Sequence, residues 1–233
     1  MRDGDFHYAG GELDLFAEAR RWRAYWTDMV RPFIGEAVLE VGAGIGSATQ
    51  VICRPDARSW QLFARLAETL DAPGMRGVEA RCDTLADLSA GESFDTALYI
   101  DVMKHIEADL GEMARLLPHL RPGGHVVVLG PKHPFLLTPF DVAIGHVRRY
   151  HRPSMGSLTL PGLRLVSLRY LDSVGMAASL GNRLVLRAAK PTRGQIALWD
   201  GRMVPLSRRL DALLRYTLGK SILGVWRRVA APA

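Results

Sequence analysis

The residues with the clearest chemical potential lie in Val38-Leu-Glu-Val-Gly-Ala-Gly-Ile-Gly-Ser47. The short apolar run of Val38, Leu39 and Val41 predicts a buried strand. Gly42, Gly44 and Gly46 break it, and the stretch from Ile45 to Cys53 can start a helix. A strand, a glycine turn and a helix start bring backbone close to a ligand and aim free N–H groups at it. Glu40 lies two residues before the first glycine, where an acid faces the ligand's polar end. The pattern describes a nucleotide-type pocket. It is not a dinucleotide fingerprint: the third glycine comes one position early, and Ser47 stands where G-x-G-x-x-G needs glycine. Nor is Gly219-Lys-Ser221 a P-loop, because Leu214 occupies the place of its first glycine.

A second candidate group is Asp101 with His105. Phe94-Asp-Thr-Ala-Leu-Tyr-Ile100 predicts a buried strand, and ligands in open α/β sheets bind at the carboxyl ends of strands. Four residues of spacing would place Asp101 and His105 on one face of a helical turn. A histidine there could take a proton from a nucleophilic oxygen, nitrogen or carbon, while a packing or capping histidine is the plainer role. The third group is the stretch up to Arg152, dense in His133, Asp141, His146, Arg148, Arg149 and Tyr150. Paired arginines suit a phosphate or carboxylate, and His133 or His146 could add a base or a hydrogen bond. A solvated basic loop would show the same charges. Phe140, Ile144 and Tyr150 interleave them, as in an ordered substrate lid.

These groups need a scaffold. Apolar residues at helical spacing over Glu12–Ile34 predict an N-terminal helix or helix pair, stopped by Pro32 and Gly35. Ser59–Phe63 reads as a second strand followed by a helix over Ala64–Leu70, and Val78–Arg81 as a weak third strand. Cys82-Asp-Thr-Leu85 follows, where Asp83 suits a ligand contact and equally well a helix cap. Ala108–Leu120 predicts an amphipathic helix ended by Arg-Pro-Gly-Gly before a β-branched strand. Leu163–Leu171 alternates as a strand with one exposed face, and Val174–Ala189 and Gln195–Leu214 read as helices. Trp199, Met203, Arg208 and Arg209 in the latter suit core packing first, and otherwise a membrane surface or a second subunit.

The bulk numbers narrow the classes. A chain of 233 residues suits one domain with insertions. Hydrophobic content of 48% and charged content of 23% describe an ordinary globular protein, with no apolar run long enough to span a bilayer and no leader pattern at the start. Cys53 and Cys82 lack metal spacing and point to a reducing, cytoplasmic setting. The net charge of +6 favours an anionic substrate or a membrane surface, and no nucleic-acid-binding motif accompanies it.

The motifs in their order resemble the class I S-adenosylmethionine (SAM) methyltransferases. Glu-x-Gly-x-Gly-x-Gly from Glu40 is similar to their first motif, Phe94-Asp95…Asp101…His105 to an "FD…D-x-L-E-H" segment, and Leu120-Arg-Pro-Gly-Gly124 to the turn before their fifth strand. Phe140-Asp141…Gly145-His146…Arg148-Arg149-Tyr150 resembles an "F-D…G-H-x-R-R-Y" stretch of bacterial methyltransferases of glycan or lipid-linked biosynthesis. The resemblance implies an α/β fold: a Rossmann-like seven-stranded sheet in the order 3-2-1-4-5-7-6, its last strand antiparallel and near Gly219–Arg228, with helical cover. It implies a methyltransferase domain over 1–233, with an N-terminal cap (1–36), a cofactor core (37–130), a substrate loop (131–160) and two final strands (161–233) around a helical insertion at about 173–217.

The implied cofactor is SAM, leaving as S-adenosylhomocysteine. Glu40, Gly42, Ala43, Gly44 and Gly46 would hold its methionine and ribose part, Asp83 and Thr84 the adenine, and Asp101 and Val102 would stand near the methyl donor. His105, His133 and His146 are the implied bases. Asp141, Arg148, Arg149 and Tyr150 would bind a small-molecule or lipid-linked acceptor. Two residues depart from the family pattern: no acid follows the second strand before Glu68, and Lys104 replaces a usual Glu. These departures fit the rival expectation, a methyltransferase-fold protein that catalyses cyclisation or elimination or serves as a non-catalytic partner. Peripheral membrane contact and homodimerisation stay open.

Overall fold

A computed structural model describes residues 18–44, 46–53, 59–63, 78–81, 84–132, 145–181 and 192–229. Among them, seven strands form one sheet in the order β3-β2-β1-β4-β5-β7-β6. The strands are β1 (Ala37–Val41), β2 (Ser59–Phe63), β3 (Val78–Arg81), β4 (Phe94–Ile100), β5 (Leu120–Pro131), β6 (Leu163–Leu171) and β7 (Ser221–Arg228). β1 to β5 pair in parallel, and β7 runs antiparallel between β5 and β6. The mixed α/β architecture expected from the sequence is the one observed.

The apolar runs of the central strands bury both faces, as parallel sheets require. Val38, Leu98, Val127, Leu129, Leu223 and Val225 face one side. There they meet Tyr25, Trp26 and Val30 of α1 (Arg20–Val30), with Ile196 of α6 (Arg193–Leu198) and Val204 of α7 (Val204–Leu213). The alternate residues Leu39, Ala97, Tyr99, Val126, Val128, Ile222 and Trp226 face the other side. They pack on Met113 and Leu116 of α3 (Asp109–Leu116) and Met155 of α4 (Arg152–Gly156). Each such side chain contributes about 1.5–3 kcal/mol by leaving water.

Several local differences from the sequence reading have physical causes. The Arg-Pro-Gly-Gly segment is no separate turn; it lies within β5 as an irregular stretch, where the register against β4 shifts between Phe94 and Thr96. A Cβ at Gly124 would stand 2.8 Å from the Asp95 carbonyl oxygen, so only glycine lets the strands close. Asp95 itself is structural. Its Oδ2 accepts from the Ala37 and Glu36 N–H groups at 2.9 and 3.1 Å, and Arg121 Nη1 donates to both carboxylate oxygens. Burial raises the pKa of this carboxyl, but the Ala37 N–H and Arg121 outweigh it and hold the group below its usual value. The clamp sits at the amino end of the sheet, away from any ligand edge. The expected helix over Gln195–Leu214 contains a π-turn (Trp199–Met203) directly before Pro205, which has no N–H to give the preceding turn.

The helical cover is tied down by two buried carboxylates. Asp172, left-handed at φ +68° between β6 and α5 (Ser173–Gly181), accepts through Oδ2 from Trp199 Nε1 at 2.7 Å and through Oδ1 from Ser207 Oγ at 2.7 Å. Asp211 accepts through Oδ2 from the Asp172 N–H and from the Tyr25 hydroxyl, at 2.6 and 2.9 Å, and through Oδ1 from the Ser173 N–H. Burial, and then the Asp211 charge, push the Tyr25 hydroxyl pKa well up, so it stays a donor. Trp199 is therefore a core residue, as the first reading of it had it, and Arg208 pairs with Asp28 at 2.8 Å on the surface. No helix among the described residues is long and apolar enough to cross a membrane.

Asp211→Asn replaces one acceptor oxygen by a donor that faces other donors. The variant should lose about 2–4 kcal/mol of stability, read as a lower urea midpoint at an unchanged slope. An unchanged midpoint would show that the corner does not hold the helices.

Candidate functional site

The carboxyl ends of β1, β4 and β5 meet at one edge of the sheet. After β1 the chain turns through Gly42, Gly44 and Gly46, whose φ angles of +69°, +58° and +72° all lie in the left-handed region that glycine adopts without strain. Ile45 lies outside the described residues. The Gly46 N–H donates to the Ala43 carbonyl at 2.9 Å, and Arg23 Nη1 of α1 donates to the Ser47 carbonyl at 3.0 Å. The loop is thus braced from within and from the helical cover. The helix that follows, α2 (Thr49–Ile52), is a single turn rather than the longer helix the sequence allows. Glu40 is fully buried beneath the loop, where Oε2 accepts from Thr49 Oγ1 at 2.8 Å.

Gly42 touches the end of β4. A Cβ there would fall 2.2 Å from Val102 Cγ2, which brings the first motif against the second. Asp101 stands at this junction with φ +57°, a conformation that costs an L-residue energy and is least rare for Asp and Asn. Its side chain is half exposed, and Oδ1 lies 3.4 Å from Lys104 Nζ. The chain then enters a 3-10 turn over Met103–His105, not the α-turn that would have put Asp101 and His105 on one face.

His105 is held by the basic segment. Its Nδ1 donates to the Gly145 carbonyl at 3.0 Å, which leaves the lone pair on Nε2, and its ring meets the buried His146 edge-on with centroids 4.9 Å apart. Burial first, then Lys104 and His146, pull the His105 pKa down to about 4, so the imidazole is neutral near pH 7. The Val147 N–H donates to the Lys104 carbonyl and the Tyr150 N–H to the Pro131 carbonyl. Residues 145–150 are therefore fastened across the ends of β4 and β5, as an ordered cover requires.

The two arginines differ. Arg148 is committed to the Asp109 carboxylate and the Glu107 carbonyl, and Tyr150, buried in the core, donates from its hydroxyl to Asp109 at 2.9 Å. Both tie the segment to the start of α3, whereas the sequence reading assigned them to acceptor binding. Arg149 donates to the Lys132 carbonyl from Nη1 at 3.3 Å. Thr84 is spent on a capping box: its N–H and hydroxyl both donate to Asp87, and its Oγ1 accepts from the Ala86 N–H. Asp83, His133 and Asp141 lie outside the described residues, as do Glu68 and the segment after β2.

Two lysines at this edge escaped the sequence reading. Lys132 directly follows β5 and Lys220 directly precedes β7; the Lys132 N–H donates to the Lys220 carbonyl at 2.8 Å. Lys220 Nζ lies 3.3 Å from Asp172 Oδ2 and 4.0 Å from the Trp199 ring centroid. Burial pushes its ammonium down, against the pull of Asp172. The available signal was topological: in a sheet whose last strand runs antiparallel, the start of β7 returns to the end of β5.

No protein-family model matches the chain, and no curated protein matches it in sequence. Solved structures do match in fold. An S-adenosylmethionine-dependent methyltransferase from Mesorhizobium loti shares 19% identity at a TM-score of 0.59, covering 93% of this chain and 100% of its own. The N-methyltransferase NodS from Bradyrhizobium japonicum WM9, in complex with S-adenosyl-L-homocysteine, gives 13% and 0.57, covering 95% and 97%. The [4+2]-cyclase SpnF gives 16% and 0.59, covering 95% of each chain. At these identities the likeness establishes architecture: the chain has the fold of the class I methyltransferases.

Proposed function

We propose that the protein transfers a methyl group from SAM to a small-molecule or lipid- or glycan-linked acceptor, by direct SN2 displacement, in a cytoplasmic setting. The observation that supports this best is the braced loop of three left-handed glycines against the strained Asp101-Val102 junction. A loop that is bare of side chains at Gly42, Gly44 and Gly46 lets backbone approach a flat, polar cofactor closely. When bound, SAM supplies an activated methyl on a sulfonium centre. The chain's own part is positioning. Gly42, Ala43, Gly44 and Gly46 would lie under the cofactor, and Glu40, held by Thr49, would favour its positive end. Asp83 and Thr84 remain the residues proposed for the adenine. Asp101 and Val102 would border the reacting atoms.

His105 is the proposed proton acceptor, and His133 and His146 are proposed for the same role. A neutral imidazole with its lone pair on Nε2 accepts a proton without first having to lose one. Arg149 and Asp141 are the proposed acceptor contacts, with Arg148 and Tyr150 positioning the segment that presents them.

A second reading has one observation in its favour: the cyclase matches the chain as well as the M. loti methyltransferase does, each at a TM-score of 0.59. The same edge would then bind a different substrate and catalyse cyclisation or elimination.

Calorimetric titration with SAM and with S-adenosylhomocysteine separates the two. Micromolar binding, about 8 kcal/mol, is expected for both ligands. Gly44→Val, which forces a β-branched residue into φ +58°, should weaken it at least about tenfold. Folded protein that gives no heat with either ligand would favour the second reading.

His105→Gln should lower turnover while leaving SAM affinity within a few-fold. It also carries a pH signature. The imidazole titrates near 6.5 in the unfolded chain and near 4 in the folded one, so the unfolded state binds more protons between those values. Folding stability of the wild type should therefore fall as pH drops through that window, and His105→Gln should flatten the fall. A parallel decline in both proteins would mean that the residue is not held neutral.

A further inference from the structure

Lys132 lies at the carboxyl edge and is only 7% exposed. Its Nζ stands 3.4 Å from the centroid of the Tyr170 ring, at the end of β6. The Arg152 guanidinium carbon lies 5.0 Å from the same centroid, and the Arg152 N–H donates to the Tyr170 hydroxyl at 3.0 Å. Two cations thus share one buried ring. Neighbouring cations are matched by acids: Lys104 by Asp101, Arg148 by Asp109 and Lys220 by Asp172. Among the described residues neither Lys132 nor Arg152 has a carboxylate within ion-pair distance.

Burying an ammonium is costly unless a counter-charge answers it. The Tyr170 face offsets part of that cost, but a second cation on the same ring works against it. Burial and then Arg152 push the Lys132 ammonium in the same direction, down. Such an arrangement is one that an anion completes, and it stands on the ligand edge. The Lys132 N–H bond to the Lys220 carbonyl and the Arg149 bond to the Lys132 carbonyl join it to the edge that carries Asp101.

We propose that Lys132, Arg152 and Tyr170 form an anion subsite that takes a dianionic phosphoryl group of the acceptor. This assignment rests on the methyl-transfer reading only for the word acceptor; the subsite itself does not need SAM. A dianion balances both cations, whereas a carboxylate leaves one unanswered. The pairing of a point-charge ammonium with a guanidinium fork also matches the way phosphates are held. The phosphoryl group belongs either to a soluble ester or to a lipid-linked acceptor.

The test is calorimetric titration of the full chain, without SAM and at fixed ionic strength, with inorganic phosphate, phenyl phosphate and acetate. Saturable binding is expected for both phosphates and far weaker binding for acetate. Arg152→Gln, a change at an exposed side chain, should weaken phosphate by about tenfold, and Lys132→Met by at least as much. Arg209→Gln removes the same charge from the exposed face of α7 and should leave the affinity unchanged. A loss as large in Arg209→Gln, acetate binding equal to phosphate, or no saturation up to tens of millimolar would overturn the proposal. Should Lys132→Met fail to fold, Arg152→Gln alone decides. Sedimentation with phosphatidic acid vesicles then separates the sources: Arg152-dependent capture supports a lipid-linked phosphate, and capture absent beside phenyl phosphate binding supports a soluble ester. Phosphate binding without SAM binding would remove the methyl-transfer reading and keep the subsite.

Discussion

Burial of β1, β4 and β5 on both faces is the constraint from which the rest of the structure follows. With α1, α6 and α7 on one side and α3 and α4 on the other, the strands offer neither face to a ligand. Their edges remain. The amino edge is closed by the Asp95–Arg121 clamp, which answers the first N–H groups of β1 with a carboxylate. Polar chemistry is thereby left to the carboxyl edge, where the strands end in glycines, in Asp101 and in Lys132. Two-sided burial also explains why that edge tolerates strain. Asp101 at φ +57° is held by its N–H bond to the Leu129 carbonyl and by the tight contact of Gly42 with Val102, so packing over-determines its geometry.

The second constraint is electrostatic. Asp172 and Asp211 are both fully buried, and each carboxylate is answered by several donors from different elements. Carboxylates buried without that set would cost several kcal/mol each. With it, they join β6, α5, the π-turn, α7 and α1 into one corner, and Asp172 also holds Lys220 at the ligand edge. One hydrogen-bonded network thus runs from the helical cover through Asp172 to Lys220 at the carboxyl edge.

Most of the fold was legible because its signals are local and strong. The apolar runs of β1, β4 and β5 and the glycines after β1 each depend on few neighbours, whereas β7 was expected only from the family resemblance. The site was less legible, and the reasons differ by residue. Arg148 and Arg149 are adjacent and chemically equal in sequence, yet Asp109, some forty positions away, claims one of them. Thr84 looked like a ligand contact, but its capping partner Asp87 lies only three residues on, and that signal was readable. The Arg-Pro-Gly-Gly stretch reads as a turn in isolation; it belongs to β5 because Asp95 on the neighbouring strand demands the close approach. Lys132 lies in no motif, and the Gly219-Lys-Ser221 tripeptide that holds Lys220 points to no site by itself. Only the antiparallel return of β7 makes them neighbours, and chain spacing alone does not report it.

In the proposed reading the charge pattern along the edge has a consequence for binding order. A sulfonium cofactor carries positive charge, and Glu40 and Asp101 provide the negative groups at the loop end. The far end is cationic, with Lys132, Arg152 and Arg149 facing the acceptor's side. A cationic cofactor arriving first meets an edge whose far cations oppose it, weakened by screening over about 8–10 Å. An anionic acceptor neutralises those cations and so favours the cofactor, and by linkage the cofactor favours the acceptor equally. The neutral His105 adds no charge of its own to the edge, which a protonated histidine would. In that reading an imidazole kept buried and uncharged would serve two ends: it would preserve a lone pair for the proton, and it would not repel the cationic methyl donor.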